Sequence, residues 1–247
     1  MNKEYVQEYI QLEKTHWWFV VRKRIILYFL HKHAKGSSLK ILNIGAAGGE
    51  SSEWLKEFGE VISVENESFF IDYLRSKRIN VTAASVLSMP FDDNSFDLVC
   101  AFDVIEHVQD DSAALEEINR VCKPQGTVCI TVPAFRSLWS NHDVVNRHFR
   151  RYTKKELHRT MEAASHLSLQ ESAYFNSLLF LPIFFARKIA VIFSIGKKQG
   201  RSDFELYKTP SWLNTLLKSI FSLELPLLKM VSFPAGVSLI CVLKKKA

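Results

Sequence analysis

The chain has 247 residues, of which 47% are hydrophobic and 23% charged. This composition is typical of a folded globular protein and excludes a disordered or low-complexity chain. The net charge of +6 is unevenly distributed: residues 1–135 hold 14 basic and 19 acidic side chains (net −5), and residues 136–247 hold 18 and 7 (net +11). The asymmetry favours an anionic substrate or surface near the C-terminal part, although a solvated basic face would give the same pattern.

The cysteines and the apolar segments narrow the class of protein further. The four cysteines form no CxxC pair, so they predict buried free thiols in a reducing compartment and no metal site. The N-terminus carries several acids and lacks the apolar core of a signal peptide. The most apolar stretch, residues 178–195, is interrupted by Pro182 and by Arg187-Lys188, which argues against a bilayer span. We therefore expect a cytoplasmic protein, with peripheral contact at the inner face of the membrane left open.

Short apolar runs alternate with amphipathic stretches from residue 39 onward, which predicts βαβ units and a parallel sheet. The predicted strands are 39–44, 61–65, 79–83, 96–102, 127–132, 167–173 and 237–243, and the predicted helices between them are 48–58, 67–77, 110–122 and 153–164. Pro124 and Gly126 are expected to close the third of these helices. Thr153 and Glu156 form a predicted capping box at the start of the fourth.

Two segments flank or interrupt this pattern. Residues 1–35 are predicted to be helical and carry the cluster His16-Trp17-Trp18-Phe19, so we expect an N-terminal helical lid. The core is then residues 36–173 together with 236–247. Residues 174–235 form a hydrophobic insertion, because a segment of that length inside a compact domain must be a substructure. The insertion fits a cap over a pocket, a membrane-surface element or a dimer interface.

A loop of small residues follows the first strand. Gly45-Ala46-Ala47-Gly48-Gly49 leads directly into a helix, so a ligand can lie against bare backbone near the helix start. Glu65 ends the second strand twenty residues later, where an acid can bind both hydroxyls of a ribose. The glycine spacing does not match the GxGxxG pattern of NAD-binding proteins, so an NAD-dependent oxidoreductase is a disfavoured alternative.

Two further motifs carry a resemblance to a known family. The run from Ser85 to Val99 contains Met89-Pro90-Phe91 and Asn94-Ser95-Phe96-Asp97, and Val104-Ile105-Glu106-His107-Val108 follows the fourth strand. With the glycine loop and Glu65, these motifs resemble the class I methyltransferases of type 11 over residues 39–135. The resemblance implies S-adenosylmethionine as the cofactor, S-adenosylhomocysteine as its product, and an α/β Rossmann-like sheet of seven mostly parallel strands with helices on both faces.

The resemblance also implies which residues hold the cofactor. They lie in the lid, in the glycine loop and at the ends of the strands: Trp18, Arg22, Gly45, Ala46, Ala47, Gly49, Glu65, Asn66, Ser85, Val86, Phe102 and Asp103. Trp18 could add a cation–π contact to the sulfonium. The chain departs from the family pattern at Asn43, Ala47 and Ser85, where relatives commonly carry Asp, Gly and Asp. These departures leave open a non-catalytic protein that binds the cofactor or a membrane surface.

Methyl transfer depends mainly on positioning, and a histidine base would help an oxygen acceptor. The candidates are His107, His142 and His148. Residues 138–153 lie where open α/β sheets bind ligands, and their His-x-Arg-Arg-Tyr-Thr pattern resembles that of bacterial relatives with an N-terminal His-Trp-Trp-Phe-x-x-Arg. The candidate acceptor-binding residues are Trp17, Trp139, His142, Arg150, Arg151 and Tyr152. Arg150 and Arg151 suit a carboxylate or phosphate, or Arg151 and Tyr152 only brace the following helix.

These observations predict methylation, at oxygen rather than nitrogen or carbon, of a small or lipid-linked acceptor that is hydrophobic and anionic. A nucleic-acid acceptor is disfavoured, because the basic residues are interspersed with the apolar insertion and no Asn/Asp-Pro-Pro-Tyr motif is present. The oligomeric state is open, with a homodimer among the alternatives.

Overall fold

A computed structural model of the chain describes residues 3–164, 166–192 and 210–247. Within these residues a seven-stranded sheet has the order β3-β2-β1-β4-β5-β7-β6. The strands are β1 Leu39–Ile44, β2 Gly59–Glu65, β3 Val81–Ala83, β4 Phe96–Phe102, β5 Cys122–Pro133, β6 Leu167–Phe175 and β7 Ser238–Lys245. Strands β1 to β5 pair in parallel, and β7 runs antiparallel to β5 and β6. The predicted seven-stranded, mostly parallel sheet is confirmed.

The helices pack on both faces of this sheet. They are α1 Lys3–Thr15, α2 Trp17–His33, α3 Glu50–Leu55, α4 Ser68–Ser76, α5 Asp111–Val121, α6 Asn141–Val145, α7 Lys154–Ala164, α8 Phe180–Ile192, α9 Ser211–Ser222 and α10 Glu224–Leu228. One core layer joins α5 and α7 to the sheet through Leu115, Ile118 and Leu157. The opposite layer buries Ile25 and Phe29 of α2. Helix α2 is therefore part of the core, and only its N-terminal part, residues 17–23, borders the site described below.

Some predicted boundaries shift for identifiable reasons. Strand β5 begins at Cys122 rather than Thr127, because an irregular register opposite β4 lets Cys122 pair with Phe96. Pro124 and Gly126 therefore lie inside β5, and the prediction that they close α5 is wrong. The predicted capping box is confirmed: the Thr153 N–H donates to Glu156 Oε2 at 2.8 Å, and the Glu156 N–H donates to Thr153 Oγ1 at 3.2 Å.

The described parts of the insertion are helices α8, α9 and α10, while residues 193–209 in its middle lie outside the described residues. All four cysteines are buried and free, which confirms the predicted free thiols. In the described parts of the chain, no helix combines the length and the apolar character needed to cross a membrane.

Candidate functional site

A cavity of about 1580 Å³ lies at the carboxyl ends of the parallel strands. Its floor includes Gly45 after β1, Glu65 at the end of β2 and Asp103 after β4. Helices α1 and α2 border one side, and α8 and α9 form an apolar roof on another. Pockets for one ligand are typically about 300–1,000 Å³, so this cavity has room for two molecules side by side.

The glycine loop has little space for side chains. Gly45 has φ +72°, and a Cβ there would lie 2.7 Å from Val104 Cγ2. A Cβ on Gly48 would lie 2.1 Å from Oε2 of Glu13, which reaches over the loop from α1. The loop therefore presents bare backbone to the cavity, as a close-fitting ligand requires.

Glu65 is nearly buried, with 6% of its surface exposed, and its carboxylate is held by backbone donors. Oε2 accepts the Ala47 N–H at 2.9 Å, and Oε1 accepts the N–H groups of Asn66 and Glu67 at 2.8 and 3.0 Å. Each carboxylate oxygen carries two lone pairs, so Oε2 keeps acceptor capacity at the cavity wall. Glu65 links the glycine loop to β2 and could still accept a hydroxyl of a ligand.

Asn43 lies beneath the loop and braces it. Its side chain is fully buried, and Nδ2 donates to Ser51 Oγ at 2.8 Å and to Ser52 Oγ at 3.0 Å. Ser52 in turn bonds to Ser63 of β2 at 2.8 Å. Asn43 stands where the resembling family commonly carries Asp, and its amide instead bonds to serines that fix α3 to the sheet. Ser85 lines the cavity, and its Oγ accepts the Leu87 N–H at 3.2 Å.

Arg22 connects α2 with the end of β4. Its guanidinium donates to the Asp103 carboxylate and, at 3.1 Å, to Thr131 Oγ1. It also lies 4.8 Å above the ring of Trp18 and 5.7 Å from the ring of Phe102. A cation therefore already stacks on Trp18, the residue predicted to contact the sulfonium.

The residues at this end fit S-adenosylmethionine. Glu65 suits the ribose hydroxyls, and the Gly45 loop leaves room for the chain between ribose and amino acid. Nε of Arg22 is buried without a partner among the described residues, and a guanidinium suits the carboxylate of a methionine moiety. Val86 lines the wall beside Ser85, where an adenine would lie flat.

Three histidines gather at the other end of the cavity. The ring of His148 lies 4.6 Å from that of His107 and 5.8 Å from that of His142, both in edge-on geometry. Nδ1 of His148 bonds to Asp143 Oδ1 at 2.8 Å. Beside them lies Glu106, which is fully buried and whose two carboxylate oxygens find no partner within the described residues. All three histidines predicted as catalytic candidates therefore line one part of the cavity.

Asp143 holds this end together. Its Oδ2 accepts the Ser140 N–H at 2.8 Å in a capping box that starts α6. Its Oδ1 accepts Nε of Arg151 at 2.7 Å, in addition to His148. Burial alone would raise the pKa of Asp143, but the hydrogen bonds and charges of His148 and Arg151 outweigh it and hold the pKa below its ordinary value.

Burial shifts the other groups of the cluster toward their neutral forms. Desolvation by the surrounding protein, with a contribution from the charge of His148, lowers the pKa of His107 to about 4, although this residue is exposed at the cavity surface and the shift there is smaller than for a fully buried ring. Burial raises the pKa of Glu106 well above the ordinary value, and the charge of Asp103 adds to the rise. A neutral His107 with so low a pKa is a weak base, because proton-accepting strength falls with pKa.

The residues predicted to bind the acceptor divide into two groups. Trp17, His142 and Arg151 line the cavity. Arg150 forms an ion pair with Asp111 at 2.6 Å, and the Tyr152 hydroxyl donates to the same carboxylate at 2.8 Å, so both contact the start of α5 instead. Trp139 lies outside the lining, half-buried beyond Leu138. Among the predicted cofactor residues, Ala46 and Gly49 are buried behind the loop, while the other ten line the cavity.

Several site residues escaped the sequence analysis. Glu13 reaches the loop from α1, and its burial, followed by the charge of Glu50, raises its pKa to about 8. Asp143 could have been found from the Ser-x-x-Asp pattern that begins at Ser140, a capping-box signature. The apolar roof is formed by Leu179, Ile183, Leu213 and Leu217. These residues lie in the segment 174–235, for which a cap over a pocket was one of the alternatives, but the sequence did not indicate which of its side chains would line the cavity.

Part of this chain is similar in sequence to known proteins. Residues 42–130 match a family model described as a methyltransferase domain. An uncharacterized methyltransferase of Schizosaccharomyces pombe is 33% identical over 117 residues, which are 41% of this chain and 42% of that protein. A demethylmenaquinone methyltransferase of Staphylococcus epidermidis is 37% identical over 70 residues, 26% of this chain and 29% of that protein. The chain thus spans less than half the length of these relatives.

The solved structure of a putative methyltransferase from Bacillus halodurans has a TM-score of 0.61 at 17% identity, covering 90% of this chain and 99% of that one. At this identity the likeness shows the fold alone. Residues 42–130 therefore match a methyltransferase domain, and the fold around them is the one that this solved structure shares. Members of this family are transferases that take their methyl group from S-adenosylmethionine.

Proposed function

We propose that the protein transfers the methyl group of S-adenosylmethionine to an oxygen atom of a small or lipid-linked acceptor with a largely apolar body. One observation carries the proposal: a single cavity joins the Gly45 loop and Glu65 to a histidine cluster beneath an apolar roof. The cofactor and an acceptor could thus meet within one enclosed space. The name of the relative from Staphylococcus epidermidis, a demethylmenaquinone methyltransferase, also supports an apolar acceptor.

When bound, S-adenosylmethionine supplies an electrophilic methyl group on a sulfonium. The chain must then hold an acceptor oxygen in line and exclude water, and such positioning can supply roughly 7–11 kcal/mol of the barrier. Glu65 and the Gly45 loop orient one side of this arrangement. Leu179, Ile183 and Leu217 of the roof exclude water from the other side.

An acceptor hydroxyl must also lose its proton, and His148 is the best placed of the three candidate bases. Asp143 engages Nδ1 of His148, which leaves the lone pair of Nε2 for a proton. His107 has a pKa of about 4 and is the weaker base. We therefore assign Asp143 as the positioning residue and His148 as the proton acceptor.

An anionic acceptor would meet its counter-charge near the mouth of the cavity. Arg151 is engaged by Asp143 and by the carbonyl of Ala134. The exposed Arg147 and the partly exposed Lys23 also line the cavity. We propose that these two side chains, rather than Arg150 and Arg151, contact an anionic group of the acceptor.

We further propose that the protein works in the cytoplasm and touches the inner face of the membrane. Buried free thiols are usual in a reducing compartment. Leu181, Phe185 and Ile189 of α8 lie four residues apart and are 61%, 59% and 50% exposed. Flotation with phosphatidylglycerol vesicles checks this localisation: we expect binding that is lost in Phe185→Glu, and absence of binding by the native chain would contradict it.

Binding and turnover test the proposed function separately. Calorimetry with S-adenosylmethionine, S-adenosylhomocysteine and NAD is expected to show binding of the first two and none of NAD. Transfer from methyl-labelled S-adenosylmethionine into aqueous and organic fractions of a cell extract should then label the organic fraction. The Glu65→Ala variant controls for label not transferred by the protein. Binding without transfer into any fraction would instead indicate a cofactor-binding protein that does not turn over.

A further inference from the structure

We propose that Glu106, His107 and His148 bind a divalent metal cation of the Zn²⁺ or Fe²⁺ type at the acceptor end of the cavity. Their ligand atoms all lie within 4.8 Å of one another. Bonds from such a cation to nitrogen or oxygen are about 2.0–2.2 Å, so tetrahedral ligands stand about 3.3–3.6 Å apart and the most widely separated pair needs to converge by up to about 1.5 Å. Two imidazoles and one carboxylate form a ligand set that suits these ions.

Glu106 gives the strongest indication that a cation binds at this end of the cavity. The residue is 0% exposed, and neither carboxylate oxygen has a hydrogen-bond partner among the described residues. The nearest guanidinium groups are engaged by other acids, Arg22 by Asp103 and Arg151 by Asp143. Protonation of Glu106 would not satisfy the carboxyl group either, because the resulting O–H group would itself need a hydrogen-bond acceptor. Buried carboxylates are normally paired or coordinate a metal.

Both histidines are oriented as metal ligands usually are. Nδ1 of His148 is tied to Asp143 at 2.8 Å, and the ring of His107 donates to the backbone carbonyl of Asn146. Each imidazole thus has one nitrogen engaged by an outer acceptor, which leaves its other nitrogen as a potential metal ligand. In metal sites, such outer partners fix the tautomer and orientation of the ligating ring.

The backbone holds the ligands together although they lie about forty residues apart in sequence. Glu106 and His107 belong to a short helical turn at residues 105–107, just after β4. The carbonyl of Glu106 accepts the N–H of Phe149, the neighbour of His148, at 2.8 Å. The two ligand-bearing segments are therefore joined by a direct backbone hydrogen bond, so the site is preorganised before a cation arrives.

The consequence for the reaction rests on the proposed function. Three protein ligands leave an open coordination position, as in catalytic metal sites, and an acceptor hydroxyl bound there would lose its proton to water more readily. The lone pair on Nε2 of His148 would then belong to the cation. In the metal-bound chain the cation would therefore lower the pKa of the acceptor hydroxyl, and water rather than His148 would accept the proton. Such a site favours acceptors with an oxygen able to ligate a metal.

Metal titration of the full, untagged chain after treatment with a chelator tests the site directly. We expect one equivalent of Zn²⁺ by calorimetry, a rise in melting temperature on binding, and visible absorption bands when Co²⁺ is used. Glu106→Gln should lower Zn²⁺ affinity by at least about 100-fold. The matched control is Glu116→Gln, which alters an exposed acid of α5 and should bind Zn²⁺ like the native chain.

Folding of the variant is checked independently. Burial favours the neutral form of Glu106 in the metal-free chain, and Glu106→Gln replaces it with a neutral amide of the same size. Without metal the variant should therefore melt close to the native chain, while it no longer responds to Zn²⁺. If this variant does not fold, His148→Gln provides the same test. The proposal is overturned if the native chain binds no Zn²⁺, or if Glu106→Gln and His148→Gln bind it as tightly as the native chain.

The two proposals can fail separately. Methyl transfer that persists in a chelator, in a chain that binds no Zn²⁺, would overturn the metal site and leave His148 as the base. Stoichiometric Zn²⁺ binding in a chain that transfers no methyl group would support the site and overturn the proposed function.

Discussion

The two ends of the cavity differ in how their polar groups are satisfied. At the cofactor end, Glu65 accepts three backbone N–H groups, and the Asn43 amide donates to two serines. At the acceptor end, the carboxylate of Glu106 has no hydrogen-bond partner among the described residues, and the rings of His107 and His148 contact each other edge-on. Buried polar groups are almost always paired. Among the described residues the cofactor end leaves single atoms unpaired, such as Nε of Arg22 and Oδ1 of Asn43, whereas the acceptor end leaves both oxygens of one carboxylate unpaired.

The difference also reflects how each end is built. The cofactor end consists of one βαβ unit, in which β1, the glycine loop and β2 are consecutive. The acceptor end brings together the turn after β4, the segment around α6, and the roof helices α8 and α9. The first end depends on local backbone geometry that the family shares. The second depends on buried ion pairs within residues 143–151 and on contacts between this segment and others distant in sequence. Each of the following substitutions tests one side of this contrast.

The largest effect is expected at the buried ion pair of the acceptor end. Arg151→Ala leaves Asp143 buried without its main counter-charge, and breaking such a pair costs about 3–5 kcal/mol of unfolding free energy. Chemical denaturation measures the loss. Arg147→Ala, on the exposed side of the same segment, should change stability by less than about 0.5 kcal/mol. A stable Arg151→Ala variant with weakened acceptor binding would show instead that Arg151 holds the acceptor.

The matching test of the cofactor end is Glu65→Ala. A hydrogen bond to a charged group contributes about 1.5–3 kcal/mol, so losing the one that a ribose hydroxyl donates to Oε2 should weaken S-adenosylhomocysteine binding by roughly 10- to 150-fold. Calorimetry checks the affinity. Glu60→Ala, at the exposed opposite end of β2, is the control and should bind normally. Unchanged affinity of Glu65→Ala for S-adenosylhomocysteine would mean that the ribose binds elsewhere. Zn²⁺ binding should be the same in Glu65→Ala and Glu60→Ala.

A pH-dependent effect is expected beneath the roof, at Glu224. Burial raises the pKa of this carboxyl to about 7, against the opposing effect of the Ser177 and Leu178 N–H groups. Between the ordinary value near 4.5 and about 7, the folded chain keeps a proton that the unfolded chain has lost. The unfolding free energy contributed by Glu224 is therefore complete below pH 4.5 and is lost as pH rises through 7, by at most about 3 kcal/mol.

The measurement compares the native chain with Glu224→Gln by denaturant titration at pH 5, 6, 7 and 8. The native chain should lose stability relative to the variant as pH rises, and Glu60→Gln should follow the native chain. A constant difference between the native chain and Glu224→Gln would contradict the raised pKa and show that the carboxyl is ionised throughout this range.

The contrast between the ends also explains what could be predicted from the sequence. Gly45 and Glu65 are separated by one helix, so their spacing alone indicates that they meet at one edge of the sheet. The pairing of Glu106 with His148 depends on a backbone contact across the whole of α5 and β5. Periodicity reports which face of an element is buried, and it carries no information about which distant segments meet. The sequence offered a cap at residues 174–235, but for the same reason it did not indicate that Leu217 of that segment or Glu13 of α1 lines the cavity.

The smallest effect is expected in the glycine loop itself. Ala47 has φ +45°, a left-handed conformation that costs an L-residue roughly 1–2 kcal/mol, whereas glycine adopts it freely. Because glycine also loses about 0.5–1 kcal/mol through greater freedom in the unfolded chain, Ala47→Gly should gain up to about 1 kcal/mol in unfolding free energy.

Ala46→Gly, one residue earlier, tests whether that gain comes from the backbone. Ala46 is not among the residues with positive φ in the described part of the chain, so its replacement should lose about 0.5–1 kcal/mol. The Ala47 N–H donates to Glu65 whichever side chain is present, so cofactor affinity in Ala47→Gly should stay within about twofold of the native value. A less stable Ala47→Gly chain would mean that the methyl group of Ala47, packed near Tyr9 and Phe70, outweighs the strain, and that the lid helix helps to shape the cofactor end.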